Sequence, residues 1–287
     1  MAIAERDLEG LKRYVGRRHV ATDVVAPAPA ELLRLTFGRP DPELRDGDPL
    51  PPGWHILYFL PRLAPDALRV DGTPADAGVA PPVPLPRRMF AGQTLTFHRP
   101  LRIGQALRQE TELVDVSAKT GGTGTLVFTT IVSRLSGPDG LAVEDERRTV
   151  YRDEVKRGES NQAPRREAAP ADAPWRRTIT PEPILLFRFS ALTFNSHRIH
   201  YDRRWAMETE GYPGLVVHGP LTSTLLLDFA GDHVRGRPVR RYTTQARAPL
   251  FDTAPFELRG RPTASGAELW AVTPEGTIAM SAQVDCT

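Results

Sequence analysis

Residues 186–220 read LFRFSALTFNSHRIHYDRRWAMETEGYPGLVVHGP, and the rest of the chain is best interpreted around this stretch. It holds three of the seven histidines and ends in a Gly-Pro step. The apolar segment 221–229 follows directly. Proline is favoured in the first turn of a helix, and apolar residues continue behind it. This order predicts a loop with a candidate site that leads into the N-terminus of a buried helix.

The composition is that of an ordinary globular protein. The chain has 287 residues, of which 40% are hydrophobic and 25% are charged, so it has enough material for one or two cores. The 37 basic and 35 acidic residues nearly balance, at a net charge of +2. Proteins that bind nucleic acid usually carry a clustered basic face. No long Lys/Arg run is present, so we expect no nucleic-acid partner.

Cysteine content and hydropathy bear on the expected compartment. The single cysteine, Cys286, excludes an intramolecular disulfide, as is usual for proteins of a reducing cytoplasm. Residues 1–10 are charged and lack the apolar core of a signal peptide. No segment has the run of apolar residues that a membrane span requires. We therefore expect a soluble, cytoplasmic protein without a membrane partner.

The first half of the chain predicts helices followed by antiparallel strands. Apolar residues at helical spacing indicate helices over residues 4–15 and 28–37. The apolar segment 54–60 is expected to be extended or buried, and the proline-rich residues 61–88 to form an irregular loop. Alternating patterns and turn residues predict four strands, at 90–99, 106–117, 124–136 and 141–152.

A polar segment divides the chain. Residues 153–177 are rich in Ala and Pro without apolar periodicity, and we interpret them as a linker between an N-terminal domain, 1–152, and a C-terminal domain, 178–287. In the second domain the helix at 221–229 precedes four predicted strands, at 239–248, 254–262, 268–273 and 277–285. Each half thus has a helix followed by antiparallel strands, which suggests a duplicated α+β domain.

The motif Thr-Phe-Asn-x-His-Arg-Ile-His-Tyr-Asp at residues 193–202, followed by Gly-Leu-Val-Val-His-Gly-Pro-Leu at 214–221, resembles the hydratase and dehydratase branch of the MaoC-like hot-dog proteins. Within that branch the chain is similar to the type 2 hydroxyacyl-thioester dehydratases and the bacterial 3-methylfumaryl-CoA (mesaconyl-C4-CoA) hydratases. Segments 84–92 and 97–104 fit the two-domain bacterial members. The resemblance implies a double hot-dog fold, in which an antiparallel sheet of each half wraps a central helix.

The resemblance also implies a hydro-lyase that adds water reversibly across an α,β-unsaturated acyl-CoA thioester, with 3-methylfumaryl-CoA and citramalyl-CoA as the leading pair. Three alternatives remain open at this point. They are a 3-hydroxyacyl-thioester dehydratase of fatty-acid type, a non-catalytic acyl-CoA-binding hot dog and a thioesterase. The expected partner is the acyl-CoA substrate. A homodimer is left open, because a double hot dog buries within one chain the surface that single hot dogs bury by dimerising.

Three residues are the candidates for the chemistry. When the wider family pattern Asp-x-Asn-Pro-x-His is aligned on His200, Asn195 occupies the Asp position, so the carboxylate is not retained. Imidazole titrates near neutral pH, and we expect His200 to act as base and then as acid. Asn195 is expected to orient the water. The backbone N–H of Gly219, at the start of the helix, is expected to bind the thioester oxygen.

Three further residues are predicted to contact the substrate or to support the site. His197 is expected to orient the loop or contact substrate, and His218 to act at the helix entry or in the site wall. Arg198 is a candidate anchor for a carboxylate on the acyl group, with a salt bridge that fixes the loop as the alternative. The three histidines suggest a possible zinc site, but no nearby cysteine or obvious carboxylate completes a ligand set. We expect no metal and no redox cofactor.

The cofactor-like part of the substrate, coenzyme A, needs cationic partners and a tunnel. Guanidinium groups match phosphate geometry, and five arginines near predicted strands are candidates: Arg87, Arg88, Arg240, Arg241 and Arg247. The aromatic residues 54–59 are expected to form a wall of the acyl tunnel. The N-terminal half is therefore predicted to be non-catalytic but to shape the substrate cavity.

Overall fold

An antiparallel sheet of ten strands forms the framework of the computed structural model, which describes residues 5–76, 78–121, 124–153 and 167–287. The first half contributes β1 (Arg18–Val24), β2 (Arg87–Phe97), β3 (Ala106–Gly121), β4 (Gly124–Gly137) and β5 (Gly140–Arg152). The second half contributes β6 (Trp175–Ile179), β7 (Val239–Ala246), β8 (Phe256–Pro262), β9 (Gly266–Val272) and β10 (Ile278–Cys286). The strand order is β1-β3-β4-β5-β2-β7-β10-β9-β8-β6.

The two halves of the sheet meet where β2 pairs with β7. The register runs from Gly92 opposite Gln245 to Thr96 opposite Arg241, so the sheet is continuous across the halves. The strands of each half otherwise pair among themselves. One hydrophobic core contains Leu33 and Leu95 from the first half together with Leu225 from the second. Both halves therefore depend on a shared core.

In the described ranges, four α-helices accompany the sheet: α1 (Glu5–Lys12), α2 (Pro27–Thr36), α3 (Pro183–Leu192) and α4 (Gly219–His233). Helices α2, α3 and α4 each have a proline in the first turn, where the missing N–H is not needed. Nine residues of α4 are buried, so this helix is enclosed on nearly all sides. None of the described helices has the length and apolarity that crossing a bilayer requires.

The first-half elements follow the predictions with local differences. Helix α2 lies within one residue of the predicted 28–37, and α1 is shorter than the predicted 4–15, whose first residue lies outside the described part. The apolar segment 54–60 is largely buried as expected, but it forms a 3₁₀-helix, Trp54–Leu57, rather than a strand. The predicted loop 61–88 is irregular up to residue 86 apart from the 3₁₀-helix Pro65–Ala67, β2 begins at Arg87, and residue 77 is not described.

Strands β3 and β4 form a longer hairpin than the sequence predicted. Their pairing continues to Gly121 opposite Gly124, four residues beyond the predicted end of β3 at 117. Residues 122–123 of the predicted turn lie outside the described residues. Residues 118–121, Ala-Lys-Thr-Gly, have no apolar alternation, which is why the pattern did not predict this part of the strand.

The predicted linker at 153–177 needs a correction at its C-terminal end. Residues 154–166 lie outside the described part, but Ala169 and Ala173 are buried with Trp270. Residues 175–177 belong to β6, which pairs with β8 at the edge of the sheet. An edge strand buries little, so β6 lacks the apolar pattern of an internal strand. The division of the chain into two domains stays a prediction.

Candidate active site

A cavity of about 1810 Å³ is lined by residues of both halves and contains most of the predicted site. The second half contributes four of the predicted residues: Asn195, His197, His200 and Gly219. The first half contributes side chains of β2 and β5, together with residues of the segment 55–65. The expected tunnel wall at 54–59 therefore lines the cavity in large part, whereas Arg198 and His218 do not line it.

The loop that carries Asn195 is built by local hydrogen bonds. After α3 ends, Phe194 adopts a left-handed backbone with a φ of 48°. This turn lets the N–H of Asn195 donate to the carbonyl of Ser190 at 2.8 Å. The Oδ1 atom of Asn195 accepts the N–H of His197 at 3.1 Å. One lone pair of the Asn195 amide oxygen is thus used within the loop, and the second lone pair and the Nδ2 group are left for the cavity.

The first half holds the same loop from the other side. The Ser196 hydroxyl donates to the carbonyl of Gly72 at 2.6 Å, and the N–H of Arg198 donates to the carbonyl of Asp71 at 2.8 Å. Gly72 has a φ of 82°, and a Cβ there would lie 1.8 Å from the carbonyl oxygen of Ser196. Only glycine allows this approach. The loop that carries Asn195 is therefore positioned by both halves.

His200 has a defined tautomer. Its Nδ1 atom lies 2.7 Å from the carbonyl oxygen of Val216, which can only accept a hydrogen bond, so Nδ1 carries the proton. Val216 is fixed in turn by its N–H, which donates to Ile199 at 2.9 Å, and by a bridge to Phe251. The Nε2 atom of His200 consequently presents a lone pair. A neutral imidazole with a free Nε2 lone pair can accept a proton.

His218 lies against His200 and outside the cavity. The two rings are stacked with centroids 3.6 Å apart, and Nε2 of His218 is 2.8 Å from the hydroxyl of Ser190. His218 is fully buried, so its expected role in the site wall is corrected to supporting His200. Its side chain contacts α3 and does not cap α4. His197 lines the cavity, and its ring meets that of His200 edge-on at 5.4 Å.

Burial keeps this group of histidines neutral. It lowers the pKa of His200 to about 3, against the opposing effect of the hydrogen bond to Val216. Burial also lowers the pKa of His218 well below its ordinary value, with the charge of His200 adding to the effect. The pKa of His197 is lowered by burial and partly restored by Asp71. At neutral pH the stacked rings therefore carry no charge.

Metal-binding geometry is a separate question for these histidines. Parallel stacking of His200 and His218 prevents their ring nitrogens from converging on one point. Within the described ranges of the chain, no group of three His, Cys, Asp or Glu side chains has an arrangement that could hold a metal ion.

Gly219 is the first residue of α4 and lines the cavity. A Cβ at this position would lie 2.8 Å from the Cβ of Phe90 on β2, so a larger residue would push the strand away. The first N–H groups of a helix have no acceptor within the helix, and the helix dipole makes this end favourable for negative charge. The next residue, Pro220, has no N–H. The N–H of Gly219 is therefore a suitable donor to a developing oxyanion.

The structure assigns Arg198 to the loop and not to the substrate. Its Nε and Nη2 atoms donate to Oδ2 of Asp202 at 3.0 and 2.7 Å, and its guanidinium lies 4.0 Å from the ring centroid of Trp205. Asp202 also accepts the N–H of Trp205 at 3.0 Å, as expected of a residue that caps a helix. The expected carboxylate anchor is thus corrected to the alternative, a salt bridge that fixes the loop.

The arginine candidates for coenzyme A separate into two groups. Arg87, Arg88 and Arg247 line the cavity, whereas Arg240 and Arg241 lie on β7 and do not line it. The guanidinium of Arg87 is held by a hydrogen bond and an aromatic ring of the protein. Arg88 and Arg247 are exposed, which leaves their guanidinium groups accessible to a phosphate.

The sequence interpretation missed three polar residues of the first half, His55, Asp145 and Arg147, all of which line the cavity. Asp145 and Arg147 lie on β5, on the same face as the buried residues Val143 and Tyr151. A charged pair on the core-facing side of a strand is an unusual pattern and was the available signal. His55 lies in the apolar segment 54–60, and its position in the sequence gave no such signal.

Comparisons with known proteins agree with this geometry. The profile of the family described as hydroxyacyl-thioester dehydratase type 2 matches residues 53–252. A mesaconyl-C(4)-CoA hydratase of Chloroflexus aurantiacus is 44% identical over 273 residues, which cover 95% of this chain and 96% of that protein.

Solved structures agree with the predicted fold. A MaoC-like dehydratase superposes with a TM-score of 0.70 at 14% identity, over 96% of this chain and 99% of that chain. A Mycobacterium tuberculosis protein described as a double hot-dog fold superposes with a TM-score of 0.57 at 14% identity, over 97% of each chain. These likenesses confirm the double hot-dog prediction. The chain therefore belongs to the hydroxyacyl-thioester dehydratase type 2 family, and it is an enzyme of the hydro-lyase class.

Proposed function

We propose that the protein adds water reversibly to mesaconyl-C4-CoA (3-methylfumaryl-CoA) and forms citramalyl-CoA. The observation that carries the chemistry is the neutral His200, whose Nδ1 proton is held by Val216 so that Nε2 is free to act as a base. Gly219, at the N-terminus of α4, lines the same cavity. The choice of acyl group is supported by the 44% identical Chloroflexus relative, which covers nearly the whole chain.

The first step forms the carbon–oxygen bond. Nε2 of His200 accepts a proton from water while the water oxygen bonds to the β-carbon. The π electrons of the double bond move towards the thioester, and negative charge develops on its oxygen. The N–H of Gly219 donates to this oxygen. Asn195 orients the attacking water through Oδ1, whose second lone pair accepts the water's other O–H while the first accepts the N–H of His197.

The second step returns the proton. The imidazolium of His200 gives its Nε2 proton to the α-carbon, and the electrons of the enolate form the new carbon–hydrogen bond. Burial makes this imidazolium a strong acid, and the Val216 carbonyl keeps the ring in place throughout. One histidine thus serves both proton transfers. A carboxylate at position 195 is not needed for this cycle.

The coenzyme A part of the substrate requires its own contacts. We assign its phosphates to Arg88 and Arg247, which are exposed and line the cavity. A homodimer and a location in the cytoplasm stay predictions, as does the absence of a nucleic-acid partner.

A second candidate substrate class is the straight-chain enoyl thioesters of fatty-acid type. One observation favours it: the family whose profile matches residues 53–252 is described as hydroxyacyl-thioester dehydratase type 2. Both substrates would use the same atoms of the site. They differ in the acyl group alone, so kinetics with defined substrates separates them.

The test compares kcat/KM of the purified protein for mesaconyl-C4-CoA, crotonyl-CoA and a long straight-chain enoyl-CoA. Loss of the enoyl-thioester absorbance gives the rate, and mass spectrometry identifies the hydrated product. We expect mesaconyl-C4-CoA to be preferred by at least about tenfold, the factor that about 1.4 kcal/mol of binding provides. A preference for the long straight-chain substrate would assign the protein to the second candidate class.

A further inference from the structure

The first half of the protein places a buried ionic cluster in the wall of the substrate cavity. At its centre is Asp145, whose Oδ1 accepts from Nε2 of Gln93 at 2.8 Å. Its Oδ2 accepts from Nη2 of Arg147 at 3.1 Å and lies 3.3 Å from Nε2 of His55. Asp145, His55 and Gln93 are each at least nine-tenths buried. Ionic groups are rarely enclosed in this way without a function or a compensating network.

The charge of Asp145 is fully matched within the cluster. Burial alone would raise the pKa of this carboxyl group, but the charge of Arg147 and the hydrogen bond from His55 bring it down to about 2. Asp145 is thus ionised at neutral pH, and both of its oxygens are occupied. A carboxylate held on both sides cannot rotate freely. It therefore fixes the direction of the guanidinium that it binds.

Arg147 keeps donors that the protein does not use. Within the described residues, one hydrogen bond, from Nη2 to Asp145, holds the guanidinium, which has five N–H groups in total. Its Nε atom is buried and has no partner within the described residues. The side chain as a whole is 37% exposed and lines the cavity. An oriented guanidinium with unused donors in a cavity wall is suited to a carboxylate or phosphate ligand.

The sheet register places this guanidinium close to the reacting end of the cavity. Gly219 packs against Phe90, and Phe90 is opposite Thr149 on β5. Arg147 is two residues from Thr149 on the same strand face, a distance of about 6.8 Å. Ser223 lies one turn into α4, and its hydroxyl donates to Oε1 of Gln93 at 3.3 Å. Gln93 in turn donates to Asp145. The cluster thus lies beside the first turns of α4.

We propose that Arg147 binds the free carboxylate of the acyl group and selects dicarboxylic acyl thioesters, with Asp145 and His55 as positioning residues. The proposal rests on the proposed function, because only an acyl group such as mesaconyl carries this carboxylate. In mesaconyl-C4-CoA the carboxylate is bonded to the β-carbon, roughly 4 Å from the thioester carbon across three bonds of ~1.5 Å. Arg147 lines the same cavity as Gly219, where the thioester oxygen is bound.

This assignment divides the work between the halves. The second half supplies His200, Asn195 and Gly219 for the proton transfers and for binding the oxyanion. The first half recognises the acyl group through Arg147. A substrate with a methyl group in place of the carboxylate would leave the cavity side of the Arg147 guanidinium without an anionic ligand. Sites of this kind reject the apolar analogue more strongly than a hydrophobic pocket rejects a missing methylene.

The experiment compares two substrates of the same carbon skeleton. Mesaconyl-C4-CoA carries the carboxylate, and 3-methylcrotonyl-CoA carries a methyl group in its place. In the Arg147→Met variant we expect kcat/KM for mesaconyl-C4-CoA to fall about 100-fold, the factor that a lost charge-assisted hydrogen bond of about 2.7 kcal/mol provides. The value for 3-methylcrotonyl-CoA is expected to stay the same or to rise. Arg147→Lys is expected to recover part of the loss, because it keeps the charge but not the planar fork.

Arg134 is a matched control. Its side chain is also 37% exposed on a strand of the first half, but it pairs with Glu112 and Glu144 and does not line the cavity. We expect Arg134→Met to leave both substrates unchanged. If Arg147→Met does not fold, Arg147→Lys allows the same comparison of kcat/KM between the two substrates. An equal fall in kcat/KM of Arg147→Met for both substrates, or no change for either, would overturn the proposal.

Failure of the proposed function has a different signature. In that case the wild-type protein would hydrate the carboxylate-free enoyl-CoA in preference to mesaconyl-C4-CoA, and the substrate ratio would be inverted before any residue is changed. A wild type that prefers mesaconyl-C4-CoA, combined with an unaltered ratio in Arg147→Met, would overturn the role of Arg147 alone.

Discussion

At the scale of single residues, the site depends on keeping His200 neutral and its tautomer defined. The ring is enclosed by His218 on one face and tied to Val216 at Nδ1. Ser190 then binds His218 at the far side of the stack. The motif predicted His200 and Gly219 from the sequence. Nothing in the sequence indicated that His218 would lie behind His200, because the stack is formed by the loop at 214–217 folding onto residue 199.

The neutral state of His200 predicts an unusual pH profile. Burial lowers its pKa from the ordinary 6.5 to about 3, so the base form is present throughout the weakly acidic range. We expect kcat/KM to stay within about twofold between about pH 8 and about pH 5.5, where a histidine of ordinary pKa would lose most of its base form. Initial rates in buffers of constant ionic strength test this. A profile that falls by half near pH 6.5 would mean that His200 is not the buried base described above.

Arg198 and Arg147 show which residue roles a sequence can reveal. Arg198 stands inside the motif, but it has Asp202 at i+4 on the same turn, a spacing that favours an ion pair. Arg147 lies two residues from Asp145 on the same strand, whereas His55 approaches Asp145 from 90 residues away in sequence. A contact of this length cannot be predicted from spacing. The structure was needed to move the expected carboxylate anchor from the second half to the first.

At the scale of elements, α4 determines where the oxyanion is bound. The helix is buried by the sheet, and its N-terminus meets β2 at Gly219. The apolar run and the Gly-Pro step predicted this helix, although its ends lie two residues before and four after the predicted 221–229. Elements without such a pattern were harder to predict. β6, a short edge strand without an apolar pattern, is the example.

The contact of Gly219 with β2 predicts a mutational effect. In Gly219→Ala the added methyl group would lie 2.8 Å from the Cβ of Phe90, so the strand or the helix end must move. We expect a loss of about 1–3 kcal/mol in the free energy of unfolding and a fall of at least about tenfold in kcat, because the oxyanion donor is displaced. Thermal unfolding and steady-state kinetics measure both.

Gly231 on the same helix is the control for that substitution. A Cβ at Gly231 would meet nothing within 4 Å. Gly231→Ala is therefore expected to stabilise the helix by up to about 1 kcal/mol and to leave kcat unchanged. Equal effects of the two substitutions would contradict the special role of Gly219.

At the scale of the whole molecule, the two halves are joined by more than a shared core. The sheet continues from β2 to β7, and the loop at 196–198 is hydrogen-bonded to Asp71 and Gly72 of the first half. An ionic group completes the junction: Arg39 and Arg177 bind Asp228 and Asp232 on α4. The fold class and the second-half site were predictable from local patterns and the motif. The cavity wall was not, because it is assembled from both halves.

The central claim is that His200 performs both proton transfers of a hydration reaction. The most direct measurement is kcat of His200→Gln for mesaconyl-C4-CoA, with His98→Gln, an exposed histidine that does not line the cavity, as the control. General acid–base catalysis contributes about 100- to 10,000-fold, so we predict a fall of about 1,000-fold in His200→Gln and none in His98→Gln. A His200→Gln variant that folds and keeps kcat within about tenfold of the wild type would contradict the account.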